Sequence, residues 1–307
     1  MLQRAPKASC LGGLFMGSTD EPLDTPAAKP ASIDMVQHRH EQGLGTNRTR
    51  AIRWLKRRAE LLMVPVAMAV LVALWSLMTH LGDYPTYLLP PPSRVWERFV
   101  AVAADGTLWY HTSITLVEIL GGLALGLSAA VLLGYLLAKA PLVERFLSPY
   151  IVASQSVPIV ALAPLLIVWF GFGLTSKVLV AALTIFFPVL ITVIVGLRSV
   201  EEDLVDLMRS LQASRWQIFR YLEVPAALPV LLGGLKVGVT LSVIGAVVGE
   251  FAQSDRGLGF LVNLANRGLF DTPLMFVALF TLMTIALLLY GAVVLLEAIV
   301  LRWRREN

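Results

Sequence analysis

The sequence has 307 residues, of which 57% are hydrophobic and 15% are charged, and its formal net charge is +4. Because soluble domains carry about 25% charged residues, this composition excludes a typical soluble enzyme, and it is too apolar for a disordered protein. The single cysteine, Cys10, excludes a disulfide framework and a cysteine-ligated zinc or iron–sulfur site.

The first 58 residues differ in composition from the rest of the chain. They contain scattered charges and several prolines, and their apolar residues follow no regular period. The mildly apolar stretch 8–17 is too short and too rich in glycine for a signal sequence. We therefore predict a disordered cytoplasmic tail over residues 1–58, followed by a membrane domain over residues 59–307.

Six apolar runs follow the tail, and each reaches the roughly 20 residues that a helix needs to cross a membrane. They span residues 61–81, 113–138, 150–172, 177–197, 228–251 and 274–300. A soluble core of this size does not need six such runs. We therefore predict an all-α polytopic membrane protein with six transmembrane helices.

The placement of lysine and arginine predicts the orientation of these spans. Basic residues concentrate in the tail, in the loops after the second and fourth runs, and after the sixth run, while the other loops hold few. Because basic residues accumulate in cytoplasmic loops, we predict that the N- and C-termini are both cytoplasmic. The basic excess therefore sets orientation in the membrane and does not indicate a nucleic-acid partner.

A short helix is predicted between the first two runs, over Arg94–Ala104, with Ser93 as its N-cap and its apolar residues on one face. We expect it to lie on the outer surface of the membrane, and contact with an external protein is the alternative.

Small residues and prolines predict how the runs pack. Glycines four residues apart let helix backbones approach closely in lipid. Such pairs are Gly122 with Gly126 and Gly234 with Gly238. Prolines are expected to interrupt the third and fourth runs and to kink their helices. These prolines are Pro158, Pro164 and Pro188.

Two carboxylates lie inside predicted spans, Glu118 in the second and Glu250 in the fifth, both toward the outer side. A charge costs about 2.5–3.5 kcal/mol at the centre of a span, so an intramembrane carboxylate is a functional candidate. We predict that Glu118 and Glu250 belong to a gate or to the translocation path. The alternative is a carboxyl that reaches the outer interface or pairs with Arg256.

The connection between the fourth and fifth runs, about residues 198–227, predicts two short capped helices. Ser199 with Glu202 and Ser214 with Gln217 each match a capping box, and the second helix must end near the following proline. The first helix carries one apolar stripe, formed by Leu204, Leu207, Met208 and Leu211. A stripe of this kind favours a protein partner, and an amphipathic element resting on the membrane surface is the alternative.

The spacing within this connection has a known parallel. The residues that carry it are Asp206-Leu207-Met208, Gln212-Ala213-Ser214 and Leu222-Glu223-Val224-Pro225. This pattern resembles the EAA loop of binding-protein-dependent ABC importer permeases, with Asp at the usual Glu, Leu and Met at the two alanines, and Gln at the glycine. Segments 89–96, 165–173 and 249–259 also resemble the branch of nitrate, sulfonate and taurine permeases, whose relatives import thiamine- or riboflavin-related precursors.

The resemblance covers about residues 61–305 and implies the architecture of a type I ABC importer permease in the inner cell membrane. The loop would be the coupling element that docks on an ATPase. Its residues are Asp206, Leu207, Met208, Gln212, Ala213, Ser214, Arg215 and Pro225. Where this turn requires a positive φ, glutamine costs about 1 kcal/mol more than glycine, so Gln212 is the main departure from the family pattern.

The resemblance also implies the partners: a separate ABC ATPase subunit, an extracytoplasmic substrate-binding protein, a second permease copy in a homodimer, and membrane lipid. No cofactor is expected. The solute would be a small anion of the nitrate, sulfonate or taurine type, or alternatively a pyrimidine precursor of thiamine or riboflavin.

Motifs of catalysis are absent from the sequence. It contains no G-x-x-x-x-G-K-[ST] phosphate loop, no H-E-x-x-H and no G-x-S-x-G. The four histidines, His38, His40, His80 and His111, are dispersed. We therefore expect a transporter subunit rather than an enzyme, with ATP hydrolysed by a partner. A membrane-embedded enzyme or an anchor protein is the alternative of a different class.

Overall fold

The computed structural model describes residues 63, 65–82 and 84–302, without the side chains of residues 253, 268 and 269. The chain divides into two units, residues 1–69 and 70–307, and the described part of the first unit is only the beginning of one helix. The predicted tail over residues 1–58, with Cys10, lies outside the described residues.

All regular structure in the described part of the chain is helical, which confirms the predicted all-α class. In chain order the helices are α1 (Pro65–Leu81), α2 (Pro92–Ala104), α3 (Thr107–Lys139), α4 (Pro141–Ser154), α5 (Ile159–Phe170), α6 (Leu174–Arg198), α7 (Glu202–Ser210), α8 (Arg215–Ile218), α9 (Val224–Gln253), α10 (Leu258–Leu264) and α11 (Thr272–Val300). Two π-helical segments, Phe219–Glu223 and Ala265–Leu269, follow α8 and α10.

The long apolar helices are those of a membrane protein. Within the described residues, four are long and apolar enough to cross a bilayer: α3, α6, the continuous helix Arg215–Ala252 and α11. The number is five if α4 and α5 together form one bent span, and α1 is apolar but shorter. The structure therefore shows four or five candidate spans, where the sequence predicted six.

The third predicted run is not a straight helix. It breaks between α4 and α5, which meet at an angle of 96°. The N–H groups of Gln155, Ser156 and Val157 each bond to the carbonyl three residues earlier, so the helix has tightened into a turn before it reaches Pro158. By contrast, Pro164 and Pro188 lie inside α5 and α6 without ending them, so the expected interruption occurs only at Pro158.

The centre of the bundle is formed by α3, α6 and α9, which pack with their backbones close together. A Cβ atom on Gly122 would lie 2.4 Å from the Cβ of Ala181, and one on Gly234 would lie 2.7 Å from Cγ2 of Thr192. Both distances are shorter than any ordinary contact, so only glycine fits at these crossings. The predicted role of the glycine pairs in close packing is confirmed.

Helix α2 begins at Pro92 rather than after Ser93, and no side chain caps it. The predicted cap is wrong because a proline in the first turn already has the helical φ and lacks the N–H that a cap would satisfy. The helix is tied to the start of α11 by Arg98, whose Nε donates to the carboxylate of Asp271 at 2.8 Å.

Candidate functional site

The loop between α6 and α9 is the first candidate site, and it begins with α7. This helix ends in a Schellman motif, in which the N–H of Ala213 donates to the carbonyl of Met208 and the N–H of Gln212 donates to that of Arg209, at 3.0 and 2.9 Å. Gln212 has a φ of 57°. The turn therefore does require a left-handed residue where the family motif has glycine, and this chain supplies glutamine.

The second predicted capping box is confirmed and the first is wrong. The Oγ of Ser214 accepts from the N–H of Gln217, whose own side chain accepts from the N–H of Ser214. The hydroxyl of Ser199 instead donates to the carbonyl of Gly196 at 2.8 Å, at the end of α6. Helix α7 starts two residues later than that serine predicts, after Glu201, and no side chain caps it.

Helix α8 does not end near Pro225, contrary to the sequence prediction. A π-helical segment joins it to α9, and the N–H of Val224 donates to the carbonyl of Phe219, five residues earlier. Pro225 follows this wide turn directly, and the helix continues through it. The loop is thereby joined to the span α9 through one uninterrupted helix, Arg215–Ala252.

The apolar stripe of α7 lies on the surface. No residue of α7 is buried, and the side chain of Leu211, which follows it, is 70% exposed. Leu204 and Leu207 are also exposed, and Trp216 of α8 adds an exposed ring. Within the described residues, no other part of the chain covers this face.

Ion pairs anchor the base of this loop to neighbouring helices. The ammonium group of Lys139, at the end of α3, pairs with the carboxylate of Glu223 in the π-helical segment. Arg198, at the end of α6, pairs with Glu144 of α4 at 2.9 Å. These pairs connect the base of the loop to α3 and the end of α6 to α4.

The second candidate site is a buried polar cluster at the other end of α6 and α9. Glu118 of α3 is fully buried, and its carboxylate lies 3.0 Å from the Nζ of Lys177 in α6. The same ammonium group donates to the Oγ of Ser254 at 2.6 Å and to the carbonyl of Arg256 at 3.4 Å. Lys177 therefore links two spans to the loop between α9 and α10.

Side chains of α3 and α9 accept hydrogen bonds from three consecutive N–H groups of that loop. The N–H of Gly257 donates to Nδ1 of His111 at 2.9 Å, and that of Leu258 donates to Oγ1 of Thr115 at 2.8 Å. The N–H of Gly259 donates to the carboxylate of Glu250, which also accepts from the hydroxyl of Thr115 at 2.6 Å. These acceptors satisfy the N–H groups that the start of α10 leaves free.

Glycine is required at this loop. Gly257 has a φ of 108°, and a Cβ atom there would lie 2.0 Å from Oε1 of Glu250. A Cβ atom on Gly259 would lie 2.7 Å from the other carboxylate oxygen. The backbone therefore packs directly on the Glu250 carboxylate, and neither glycine can be replaced without moving it.

The structure places Glu118 and Glu250 in one buried cluster, in which Lys177 pairs with Glu118 and the hydroxyl of Thr115 donates to Glu250. Neither alternative from the sequence holds, because both side chains are buried and Arg256 pairs with Asp255 at 2.9 Å. Lys177 was missed, although a lysine at the start of an apolar run is a signal in itself. No local signal singled out the roles of His111 and Thr115, since both depend on a loop more than 130 residues away.

A cleft of about 730 Å³ opens beside this cluster. It lies between α3, the turn from α5 to α6, and the loop from α9 to α10, and Phe172, Lys177, Asp255 and Arg256 are among its lining residues. The hydrogen bond from the Arg256 guanidinium holds the pKa of Asp255 below its usual value. The described residues contain no group of His, Cys, Asp and Glu that could hold a metal ion.

Comparison with known proteins gives consistent matches. Residues 122–304 match the family model described as binding-protein-dependent transport system inner membrane component. The chain is 50% identical to the riboflavin transport system permease protein RibX of Chloroflexus aurantiacus, over 78% of this chain and 89% of that protein. It is 34% identical to the taurine transport system permease protein TauC of Escherichia coli, over 65% of this chain and 74% of that one.

Among solved structures, the chain is similar to one from the MetNI methionine ABC transporter in its inward-facing conformations. The TM-score is 0.50 at 22% identity, with 61% of this chain and 91% of that chain covered. At this identity the likeness shows a shared fold.

Proposed function

The chain belongs to the family of inner-membrane components of binding-protein-dependent transport systems, and on this premise we propose that α7 and α8 form the surface through which an ATPase drives its spans. The chain is the permease subunit of an ABC importer and a multi-pass inner-membrane protein. It acts with an ATPase and a substrate-binding protein and is not itself catalytic.

The observation that carries this coupling role is the exposed apolar stripe of α7 on a stiff support. Leu207 and Leu211 lie on the surface, next to a turn fixed by a Schellman motif and a capping box. The continuous helix from Arg215 into α9 supports transmission of a push on the loop into a span. The ion pair of Lys139 with Glu223 supports transmission to α3 as well.

The finer architecture is also a proposal. Six spans result if α1, with the apolar residues that precede it, forms one span and α4 with α5 forms another. Both termini then lie in the cytoplasm together with the α7–α8 loop, as the basic residues predict. Two copies form a homodimer around the translocation path, and residues 1–58 are a tail outside the membrane domain 59–307.

For the solute, we favour a riboflavin-type heterocycle over a sulfonate-type anion, which reverses the order that the sequence resemblance implied. The support is the identity of 50% with a riboflavin permease against 34% with a taurine permease. The test is ATP-dependent uptake into vesicles that contain the permease, its ATPase and its binding protein. We expect uptake of riboflavin, and uptake of taurine without riboflavin would contradict the assignment.

The coupling role is tested by reversing the charge of Asp206. This carboxylate pairs with Arg209 at 2.9 Å in an exposed pair, which is worth about 0–1 kcal/mol for stability. We therefore expect Asp206→Lys to leave the protein folded in the membrane but to reduce the amount of ATPase that co-purifies with it.

The matched control is Glu97→Lys on α2, because Glu97 forms a similar exposed pair with Arg94 three residues earlier. The control should retain the ATPase at the wild-type level. Normal retention and normal transport by Asp206→Lys would remove the coupling assignment, and equal losses in both variants would show a general effect of charge.

A further inference from the structure

The cleft of about 730 Å³ has the size and lining of a small-molecule site. Such sites measure about 300–1,000 Å³ and combine apolar walls with a few polar groups. Here the walls include Ile114, Val117 and Leu174, and the polar groups come from the loop between α9 and α10. The α7–α8 loop follows the opposite end of α6, so the cleft lies at the far end of the bundle from the proposed ATPase surface.

The charges in the cleft are already balanced. Lys177 lies 3.0 Å from the carboxylate of Glu118, and Arg256 lies 2.9 Å from that of Asp255. Among the described lining residues, each cation therefore has a carboxylate partner. These pairs leave no uncompensated positive charge to attract an anionic solute, whereas an uncharged solute can enter without breaking either pair.

Asp255 and Arg256 present an acceptor next to a donor. Both side chains are at least half exposed, and their pairing uses two of the five N–H donors of the guanidinium group. Tyr110 also lies beside the guanidinium group. The N–H groups that remain, together with the carboxylate lone pairs, match a molecular edge on which acceptors, carbonyl or ring nitrogen, alternate with N–H groups. Such edges occur in nitrogen heterocycles with amide or imide groups.

Phe172 supplies a flat surface at the same cleft. It lies between Gly171 and Gly173, neither of which would have a heavy atom within 4 Å of an added Cβ atom, and its side chain is 78% exposed. An aromatic belt at the membrane interface would also explain an exposed ring. Trp169 is similarly exposed but does not line the cleft, so the two explanations can be separated.

The loop that carries Asp255 and Arg256 is held before any solute arrives. The Lys177 ammonium group donates to Ser254 and to the carbonyl of Arg256, and it also pairs with the Glu118 carboxylate. On the other side, the N–H groups from Gly257 to Gly259 are fixed by the side chains of α3 and α9. A fixed loop loses little entropy on binding, so the buried cluster consists of positioning residues for this edge.

We propose that this cleft binds a flat, uncharged nitrogen heterocycle, with its ring on Phe172 and its donor–acceptor edge on Arg256 and Asp255. The proposal rests on the proposed riboflavin-type solute and names where the permease would hold it. Riboflavin offers an imide edge on a flat ring, a pyrimidine precursor of thiamine offers a ring-nitrogen acceptor beside an amino donor, and taurine lacks both the ring and the edge.

The test is direct binding to the purified complex of permease and ATPase in lipid nanodiscs, without the binding protein. Quenching of riboflavin fluorescence reports binding, and the pyrimidine and taurine are added as competitors. We expect saturable quenching by the wild type, about tenfold weaker binding by Phe172→Ala because one stacking contact is lost, and no change in Trp169→Ala. Phe172→Tyr keeps the ring and should bind as the wild type does, which shows that the position tolerates replacement.

Displacement of riboflavin by the pyrimidine, or binding of the pyrimidine alone, supports the shared edge and identifies which heterocycle is used. Three results would overturn the proposed site: displacement of riboflavin by taurine, no binding of either heterocycle to the complex, or wild-type affinity in a folded Phe172→Ala variant. Vesicle uptake keeps the two proposals apart. If the wild type imports riboflavin and Phe172→Ala imports it with unchanged affinity, the cleft is wrong while the proposed function stands.

Discussion

Replacing Gln212 with glycine should stabilise the α7–α8 loop. Gln212 has a φ of 57° at the position that ends α7, and a left-handed conformation costs a non-glycine residue about 1–2 kcal/mol. Glycine removes that cost but adds about 0.5–1 kcal/mol of backbone entropy in the unfolded chain. The expected net gain is therefore about 0.5–1 kcal/mol for closing the turn.

The gain is local, so amide hydrogen exchange is the suitable assay. The N–H groups of Gln212 and Ala213 bond to the carbonyls of Arg209 and Met208, and they exchange when this turn opens. A gain of about 0.5–1 kcal/mol slows their exchange by about two- to fivefold, since 1.4 kcal/mol corresponds to a factor of ten.

The matched control places glycine two residues earlier, inside the helix. Ser210 is the last residue of α7 and has a right-handed conformation, where glycine costs up to about 1 kcal/mol. Ser210→Gly should therefore accelerate exchange at the same amides. If Gln212→Gly accelerates exchange as well, or changes nothing while Ser210→Gly acts as expected, the positive φ is not a source of strain and the reasoning is refuted.

Two further substitutions test the packing inside the membrane domain. Gly257→Ala should lower the melting temperature of the purified protein, because its φ of 108° is strained for alanine and the new Cβ atom would lie 2.0 Å from the Glu250 carboxylate. Gly233→Ala should leave the melting temperature unchanged, because no atom lies within 4 Å of a Cβ there. Equal melting temperatures of the two variants would contradict the loop geometry. Lys236→Met should destabilise the protein by about 1–3 kcal/mol, because it leaves the partly buried Glu297 carboxylate, now 2.5 Å from the ammonium group, without its partner between α9 and α11. The double variant with Glu297→Gln should recover most of that loss, and thermal unfolding of both variants is the measurement.

Periodicity and local chemistry predicted the helix caps and turns that depend on a few neighbouring residues. The capping box at Ser214 forms because Gln217 is three residues away, and the strain at Gln212 follows from the turn alone. The box at Ser199 failed because that serine ends α6, and its hydroxyl finds the carbonyl of Gly196 before it can cap α7. A sequence pattern cannot show which of two adjacent helices such a residue serves.

What depends on distant residues could not be predicted in the same way. Glu118 and Glu250 were identified as unusual, yet their partners Lys177 and Thr115 lie 59 and 135 residues away in the chain. The continuation of α8 into α9 was also missed, because the wide π-helical turn at Phe219–Glu223 absorbs a proline that would end an ordinary helix. This segment contacts α3 through the pairs Glu223 with Lys139 and Phe219 with Tyr135, which no local pattern contains.

The three N–H groups at the start of α10 have a consequence for how this end of the protein opens. A short helix whose first turn is bonded to side chains of α3 and α9 cannot tilt on its own, since each hydrogen bond would have to break without water to replace it. Helices α3, α9 and α10 should therefore move together as one rigid unit, and we expect the path for the solute to open outside this unit. The Gly171–Gly173 turn has open space beside it, since an added Cβ atom on either glycine would meet no heavy atom within 4 Å, and we expect the path to open there.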